Sequence, residues 1–204
     1  RSSKVLNTLV AIDLAIEYLE FERIYFAIFA DKRGRLYCMG TTITYQTDQK
    51  IKSLITFANS EPLNEVGKYW LYVHASNTWG NDKVSYGERY KFTEDKLDEF
   101  ISYADAPLDN KGWNFADKPM EFLNTCMHLK RLKKEGLGYS CNLPVSMDAT
   151  CSGLQVLSIL MRDENTARKV NVLPSTEPQD IYSAVAEKVK AEVERKAQEG
   201  SREA

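Results

Sequence analysis

The sequence predicts a largely helical α/β fold of the α+β kind, and three stretches carry that expectation. Over residues 4–22, Leu6, Leu9, Val10, Ile12, Ile16 and Leu19 recur at the spacing that places them on one face of a long amphipathic helix. Over 24–43 the period changes: two aromatic and β-branched runs, 24–29 and 36–43, flank Asp31-Lys32-Arg33-Gly34, the pattern of a β-hairpin. Over 142–163, a short alternating strand of Leu143, Val145 and Met147 runs through Asp148 into a turn of small residues, then into a second helical pattern.

The hairpin comes first in functional interest. Gly34 supplies the positive φ of the turn, and Arg35 and Tyr37, two residues apart, emerge on one face of the returning strand. That sets a phosphate-binding fork beside an aromatic plate, although D-x-x-G-R is also an ordinary polar turn. Residues 46–140 read as mostly helical, with candidates at 49–59, 66–77, 94–104 and 119–135 between polar loops containing Pro62, Gly80, Pro107 and Gly112. Tyr69, Trp70, Tyr72 and Trp79 have the surface to stack bases, but at helical spacing they read as packing, and His74 with them. Lys130, Arg131, Lys133 and Lys134 ahead of Gly136 and Gly138 read as a solvated helix end. Leu154, Leu157, Ile159, Leu160 and Met161 read as a buried helix ending near Arg162 and Asp163. Beyond it Thr176 and Gln179 form a capping box, with Pro178 in the first turn. Ile181, Val185, Val189 and Val193 then line one face of the last helix, before a polar tail at 198–204.

The chain has 204 residues, 43% of them hydrophobic, enough for a sizeable core in one or two domains. With 27 basic and 29 acidic residues it has no global basic field, so any nucleic-acid contact must be local. Cys38, Cys126, Cys141 and Cys151 form no C-x-x-C pair, which argues against zinc and for reduced thiols in a cytosol-like compartment. No apolar run approaches the length of a membrane span. The first residue is not Met and no signal peptide precedes it, so the N-terminus is expected to be processed or cut.

The densest chemistry lies at 144–155, Pro-Val-Ser-Met-Asp-Ala-Thr-Cys-Ser-Gly-Leu-Gln. Ala149, Thr150, Cys151, Ser152 and Gly153 leave room for a ligand to approach the backbone, and the N–H groups at the helix start favour phosphate. A carboxylate beside such a cradle implies Mg²⁺ between them. An Asp ahead of a helix is also an ordinary N-cap. A nucleophile elbow at Ser152 fails, since Thr150 stands where that motif has its first Gly. A Cys151 nucleophile would need a base, and the chain's two histidines are His74 and His128.

All twelve positions of this stretch resemble motif A of the single-subunit RNA polymerases of phage and mitochondria. Asp31, Gly34, Arg35 and Tyr37 resemble the D-x-x-G-R-x-Y element of the same family, upstream at a similar separation. G-K-Y-W-L-Y-V-H-A-S-N, N-L-P and N-V-L-P-S-x-x-x-Q-D-I-Y extend the resemblance collinearly over nearly the whole chain. It implies a partial polymerase right hand: the end of the thumb at 1–22, a palm segment at 23–175 and the start of the fingers at 176–204. Within the palm segment lie the hairpin at 24–43, the helical region at 46–140 and the motif A strand, turn and helix at 142–163.

The activity so implied is DNA-directed RNA synthesis by nucleotidyl transfer with two Mg²⁺ ions. By resemblance, the Asp148 carboxylate and the Ala149 backbone carbonyl are metal ligands, with Asp148 catalytic. Ser152 and Gly153 belong to the turn beside the nucleotide phosphates. Asp31, Gly34, Arg35 and Tyr37 face the template and the RNA–DNA hybrid. Tyr182 marks the start of the fingers, with helix packing as its competing role.

The family's second catalytic Asp lies in an H-D-D motif, and its fingers carry a Lys and a Tyr that handle the triphosphate and sugar. None occurs here: His74 is followed by Ala75 and His128 by Leu129. The chain is therefore expected to be a fragment, or half of a split enzyme, inactive alone, with a further polypeptide supplying the rest. Its other expected partners are DNA template, RNA product and ribonucleoside triphosphates, without a membrane, in host-cell cytoplasm as for a phage protein rather than in mitochondria. A non-catalytic nucleic-acid-binding subunit of polymerase fold is one alternative, against which the intact Asp148 turn counts. A related palm-family DNA polymerase is the other.

Overall fold

The computed structural model describes residues 2–146, 151–175 and 178–200. The chain divides into two compact units, Arg1–Asp82 with Gly87–Ser146, and Lys83–Tyr86 with Met147–Ala204. As the sequence predicts, helices dominate and the strands are few and short.

The first unit opens with α1 (Ser2–Tyr18), followed by the antiparallel strands β1 (Ile28–Ala30) and β2 (Leu36–Cys38) and the single-turn helix α2 (Gln49–Lys52). Its core lies between α3 (Glu65–Trp79), α5 (Leu97–Asp105) and α6 (Pro119–Glu135). Phe100, Phe122, Cys126 and Leu129 are fully buried there, with Leu71, Tyr72 and Ala75 facing them from α3. Local signals set these helices. Asn64 caps α3 by accepting the Gly67 N–H at 2.9 Å, and Gly80, at φ 114, closes it in the left-handed region. Pro119 opens α6, and Gly136, at φ 77, ends it. The carbonyls at the end of α3 are taken by Asp117 N–H on Trp79 and Lys118 N–H on Thr78, both at 3.0 Å, which joins that end to the start of α6.

Four expectations for this unit need correcting. The helix expected at 49–59 stops at Lys52, because the next residues are held from outside: Asn124 Nδ2 donates to the Ser53 carbonyl at 3.2 Å, and Asn142 pairs with Phe57. The stretch 94–104 divides into α4 (Tyr86–Asp95) and α5 across Lys96. α4, with its polar sequence and Gly87, is fixed from α3, since Thr93 donates to the Tyr72 carbonyl at 2.8 Å and Tyr90 stacks on Tyr69 and Tyr72. The strand expected at 143–147 is not formed over 142–146, where nothing among the described residues makes a ladder and Pro144 removes a donor. Lastly, the helix expected over 4–22 ends at Tyr18, and among its described residues only Ala11 is buried, with Leu6, Leu9 and Ile16 of its apolar face exposed.

What leads the chain toward residue 143 is a different pairing. β3 (Glu61–Pro62) and β4 (Ser140–Cys141) form a short antiparallel ladder. Leu63 N–H donates to the Tyr139 carbonyl at 2.9 Å and Phe57 N–H to the Asn142 carbonyl at 3.0 Å, while Asn142 Nδ2 returns to the Phe57 carbonyl at 3.2 Å. Buried His128 supports this strand from α6, with Nδ1 2.8 Å from the Tyr139 hydroxyl.

The second unit holds α7 (Ser152–Met161), α8 (Glu164–Lys169) and α9 (Ile181–Gly200). α7 is not the buried helix expected: Leu154, Leu157, Leu160 and Met161 are exposed, and Ser158 is its buried residue. α8 packs on it, with Gln155 Nε2 donating to the Val170 carbonyl at 2.7 Å. α8 itself was not anticipated; Asp163 starts it by accepting the Thr166 N–H. The expected capping box includes Thr176, which lies outside the described residues. The cap of α9 is Asp180, whose Oδ1 accepts the Tyr182 and Ser183 N–H groups at 3.0 and 3.3 Å and whose Oδ2 takes the Ser183 hydroxyl at 2.7 Å. A carboxylate at that position caps directly, and Gln179 is engaged with Asn171 instead.

Candidate functional site

In the hairpin, Phe29 pairs with Tyr37 and Ala30 with Leu36, so the turn comprises residues 31–35. Asp31 builds it. Its backbone N–H donates to the Arg35 carbonyl and its own carbonyl accepts from Gly34, both at 2.9 Å. Its Oδ1 accepts the Arg33 and Arg35 N–H groups at 2.8 and 2.9 Å, and its Oδ2 accepts Arg33 Nε at 3.1 Å. These bonds, the one from Arg35 N–H foremost, hold the Asp31 carboxyl below the usual carboxylate range. Gly34 has φ 77, and no atom lies within 4 Å of where a Cβ would stand, so the glycine is needed for conformation and not for space.

The two arginines of the turn differ. Arg33 folds back on Asp31, with Nη2 3.5 Å from the Tyr37 hydroxyl. Arg35 is exposed, and its guanidinium meets no partner among the described residues. Tyr37 stands half-buried against Phe29, ring centroids 5.7 Å apart and 29° from parallel, so one face of the plate is already covered.

Two contributors escaped the sequence reading. Arg33 is one, fastening the turn. Gln46 is the other: its Oε1 accepts the Cys38 N–H at 2.7 Å and its Nε2 donates to the Leu36 carbonyl at 2.8 Å. Its side-chain amide thus stands in for a third strand along the free edge of β2 and fixes the direction of the strand that bears Tyr37. A lone Gln in a polar loop carries no local signal of this.

In the second unit, Asp148 and Ala149 lie outside the described residues. The chain resumes at Cys151 in the left-handed region, φ 60 and ψ 44, and Ser152 begins α7. Among the described residues no side chain caps this helix, and Cys151 contributes its carbonyl to Gln155 N–H at 3.0 Å. Ser152 and Gly153 are exposed, and a Cβ on Gly153 would meet none of the described residues within 4 Å. Toward the described residues the first turn of α7 thus leaves its backbone donors unmatched, the arrangement that receives an anionic group. Tyr182 lies near the same turn, where the neighbouring Cys151 thiol raises the phenol above its ordinary range. The hairpin residues thus gather in one unit, and Ser152, Gly153 and Tyr182 in the other.

Of the α3 aromatics, Tyr69, Tyr72 and Trp79 are packed, as their helical spacing predicts, while Trp70 is 49% exposed. Tyr69 and Tyr72 stack on Tyr90 at 5.3 and 5.0 Å, and Trp79 lies against Phe100 and Phe122. His74 and His128 are buried and held neutral, each down to about 4, by loss of solvent in the first place. Burial also pushes the Cys126 and Cys141 thiols up. Among the described residues no group of three or more His, Cys, Asp or Glu is placed to hold a metal ion.

A model of the DNA-dependent RNA polymerase family matches residues 61–204. The chain is 37% identical to T7 RNA polymerase of Escherichia phage T7 over 189 residues, 93% of this chain and 21% of that protein. It is 35% identical to the mitochondrial DNA-directed RNA polymerase of Schizosaccharomyces pombe over 182 residues, 88% of this chain and 16% of that protein. It is 33% identical to DNA-directed RNA polymerase 2B, chloroplastic/mitochondrial, of Nicotiana tabacum over 173 residues, 82% of this chain and 17% of that protein. The chain spans about a fifth of the length of the curated relatives it matches.

Proposed function

The chain belongs to the DNA-dependent RNA polymerase family, in its single-subunit phage-type branch, and on that footing we propose that it is the part of such an enzyme that grips the template and supplies the first metal-binding carboxylate. The observation that carries this is the collinear match across nearly the whole chain, which includes the twelve residues around Asp148. On this proposal residues 1–22 end the thumb, 23–175 form a palm segment and 176–204 begin the fingers. The substrates are ribonucleoside triphosphates, the partners a DNA template and the RNA product, and the remaining palm and fingers sequence completes the site. Similarity to phage enzymes supports work in host-cell cytoplasm.

The Asp148 carboxylate and the Ala149 carbonyl would hold Mg²⁺, an oxygen-only donor pair suited to that hard cation. Bound there, Mg²⁺ supplies charge neutralisation at the triphosphate and a lowered pKa for the RNA 3′-hydroxyl. The chain's own residues position and neutralise. The first turn of α7, which no described side chain caps, supports a role in receiving phosphate oxygens, and Tyr182 beside Cys151 brings the start of α9 near that turn. Arg35, whose guanidinium has no partner among the described residues, suits a phosphate of the template or hybrid backbone, and Tyr37 its sugar or base edge.

The test is a chimera in which this chain replaces the matching segment of the phage T7 enzyme, assayed for run-off transcription. Asp148→Asn should abolish elongation while template binding is retained, because Asn keeps size and hydrogen bonding and removes the charge a metal needs. Asn also caps helices about as well as Asp, so near-normal elongation would reduce Asp148 to a cap and sink the proposal.

A further inference from the structure

Beyond β2 the chain passes into an open cavity of about 410 Å³ in the first unit, between α1 and the segment leading into α2. Lys4 and Asn7 enter it from α1, Thr41 and Thr42 from the loop after β2, and Lys50 from α2. Neither lysine forms an ion pair with a described residue, and the side chains of Asn7, Thr41 and Thr42 are likewise uncommitted. The acidic group in the lining is Asp48, and it is occupied: its Oδ1 caps α2 by accepting the Lys50 N–H at 3.0 Å. Thr47 directs its hydroxyl hydrogen to the Thr44 carbonyl at 2.6 Å. What remains unmatched is a set of donors, two ammonium groups, one amide and two hydroxyls, around a lining with a positive balance.

Donors converging from three elements suit a tetrahedral anion, whose oxygens point in several directions at once, and lysine ammoniums grip phosphate without a fixed approach. Thr41 follows Arg35 by six residues, so at about 3.6 Å per residue the two lie at most about 22 Å apart, within the span of one short oligonucleotide. We propose that this cavity is a second phosphate site, taking a backbone phosphate of the nucleic acid that the hairpin grips. It rests on the assignment of the hairpin to nucleic acid.

The experiment titrates the full 204-residue chain with a labelled single-stranded oligonucleotide over a series of salt concentrations. Lys4→Gln with Lys50→Gln should weaken binding at low salt and reduce the slope of log K against log salt by about 0.7, one phosphate shared by two lysines. A charge-matched control, Lys91→Gln with Lys134→Gln, should leave the slope unchanged, and Arg35→Gln should lower it independently. Circular dichroism establishes that each variant is folded. If the Lys4 and Lys50 variant behaves as the control while Arg35→Gln loses a contact, the cavity proposal is overturned and the hairpin assignment stands. If the lysine variant loses its contact and Arg35→Gln does not, the hairpin assignment fails and the phosphate site remains. Inorganic phosphate is the second probe: competition beyond that of chloride at equal ionic strength, abolished in the lysine variant while the oligonucleotide slope is unchanged, would mark a free-phosphate site and overturn the backbone assignment. Absence of oligonucleotide binding by the unmodified chain overturns both.

Discussion

Arg33 and Arg35 stand in one turn with opposite fates, the first folded onto Asp31 and the second left facing solvent. The difference arises from Asp31, whose carboxylate takes the backbone of both residues but the side chain of only one. Removing Arg35 should therefore cost a phosphate contact without disturbing the turn. Arg35→Ala should weaken nucleic-acid binding about equally for all sequences and lower the salt slope by roughly one contact; a loss confined to particular sequences would count against a backbone role. The buried histidines make a second prediction. His74 and His128 stay neutral in the fold down to about 4, while in the unfolded chain they take a proton near pH 6.5. Between those values the unfolded state binds more protons, so stability is complete above about pH 6.5 and declines as pH falls toward 4. The limiting loss for His74 is about 3 kcal/mol. Thermal melts from pH 7 to 4.5 should record this decline, and His74→Phe should flatten it; an unchanged slope would show that His74 is solvated.

Two glycines separate packing from function at the scale of the element. A Cβ on Gly112 would come 2.4 Å from Cε1 of buried Tyr103, whose hydroxyl is tied to Glu99 Oε1 at 2.6 Å and whose ring cannot swing away. Gly112→Ala should destabilise by about 1–3 kcal/mol. Gly153 has open space at its Cβ position inside a helix, so Gly153→Ala should raise the melting temperature, by up to about 1 kcal/mol of helix preference, yet lower elongation in the chimera. Both changes in Tm together with the transcription rate test the pair; full activity in Gly153→Ala would mean that no ligand needs that space. Caps explain which elements were legible in the sequence. α3 and α6 have their stop and start signals, Asn64, Gly80, Pro119 and Gly136, within the helix ends themselves. The stretch at 49–59 was misread because Ser53 and Phe57 are held by Asn124 and Asn142, far along the chain, and the strand expected at 143–147 finds no ladder partner over 143–146 among the described residues. The same holds for the site. Asp31, Gly34 and Arg35 form a local turn that sequence exposes, whereas the hold of Gln46 on β2 depends on a loop closing back across it.

At the scale of the molecule, each unit shows apolar helix faces that its own described residues leave uncovered, Leu6, Leu9 and Ile16 on α1 and Leu157, Leu160 and Met161 on α7. Helical periodicity found both helices, since it reports a face; what covers a face is not written in the helix that bears it. The ladder between β3 and β4 has a further consequence. Phe57 and Asn142 are bonded to each other in both directions, so the chain leaves the helical core at the point where it entered. A segment whose ends adjoin can be lifted out or spliced elsewhere with little loop-closure cost. Expressed alone, residues 57–142 should melt cooperatively, and a non-cooperative melt would show that the core depends on the flanking chain. In the vocabulary of protein engineering the segment is a cassette: exchanged between polymerases of this family at 57 and 142, it would hand the flanking backbone back at the spot where it was received.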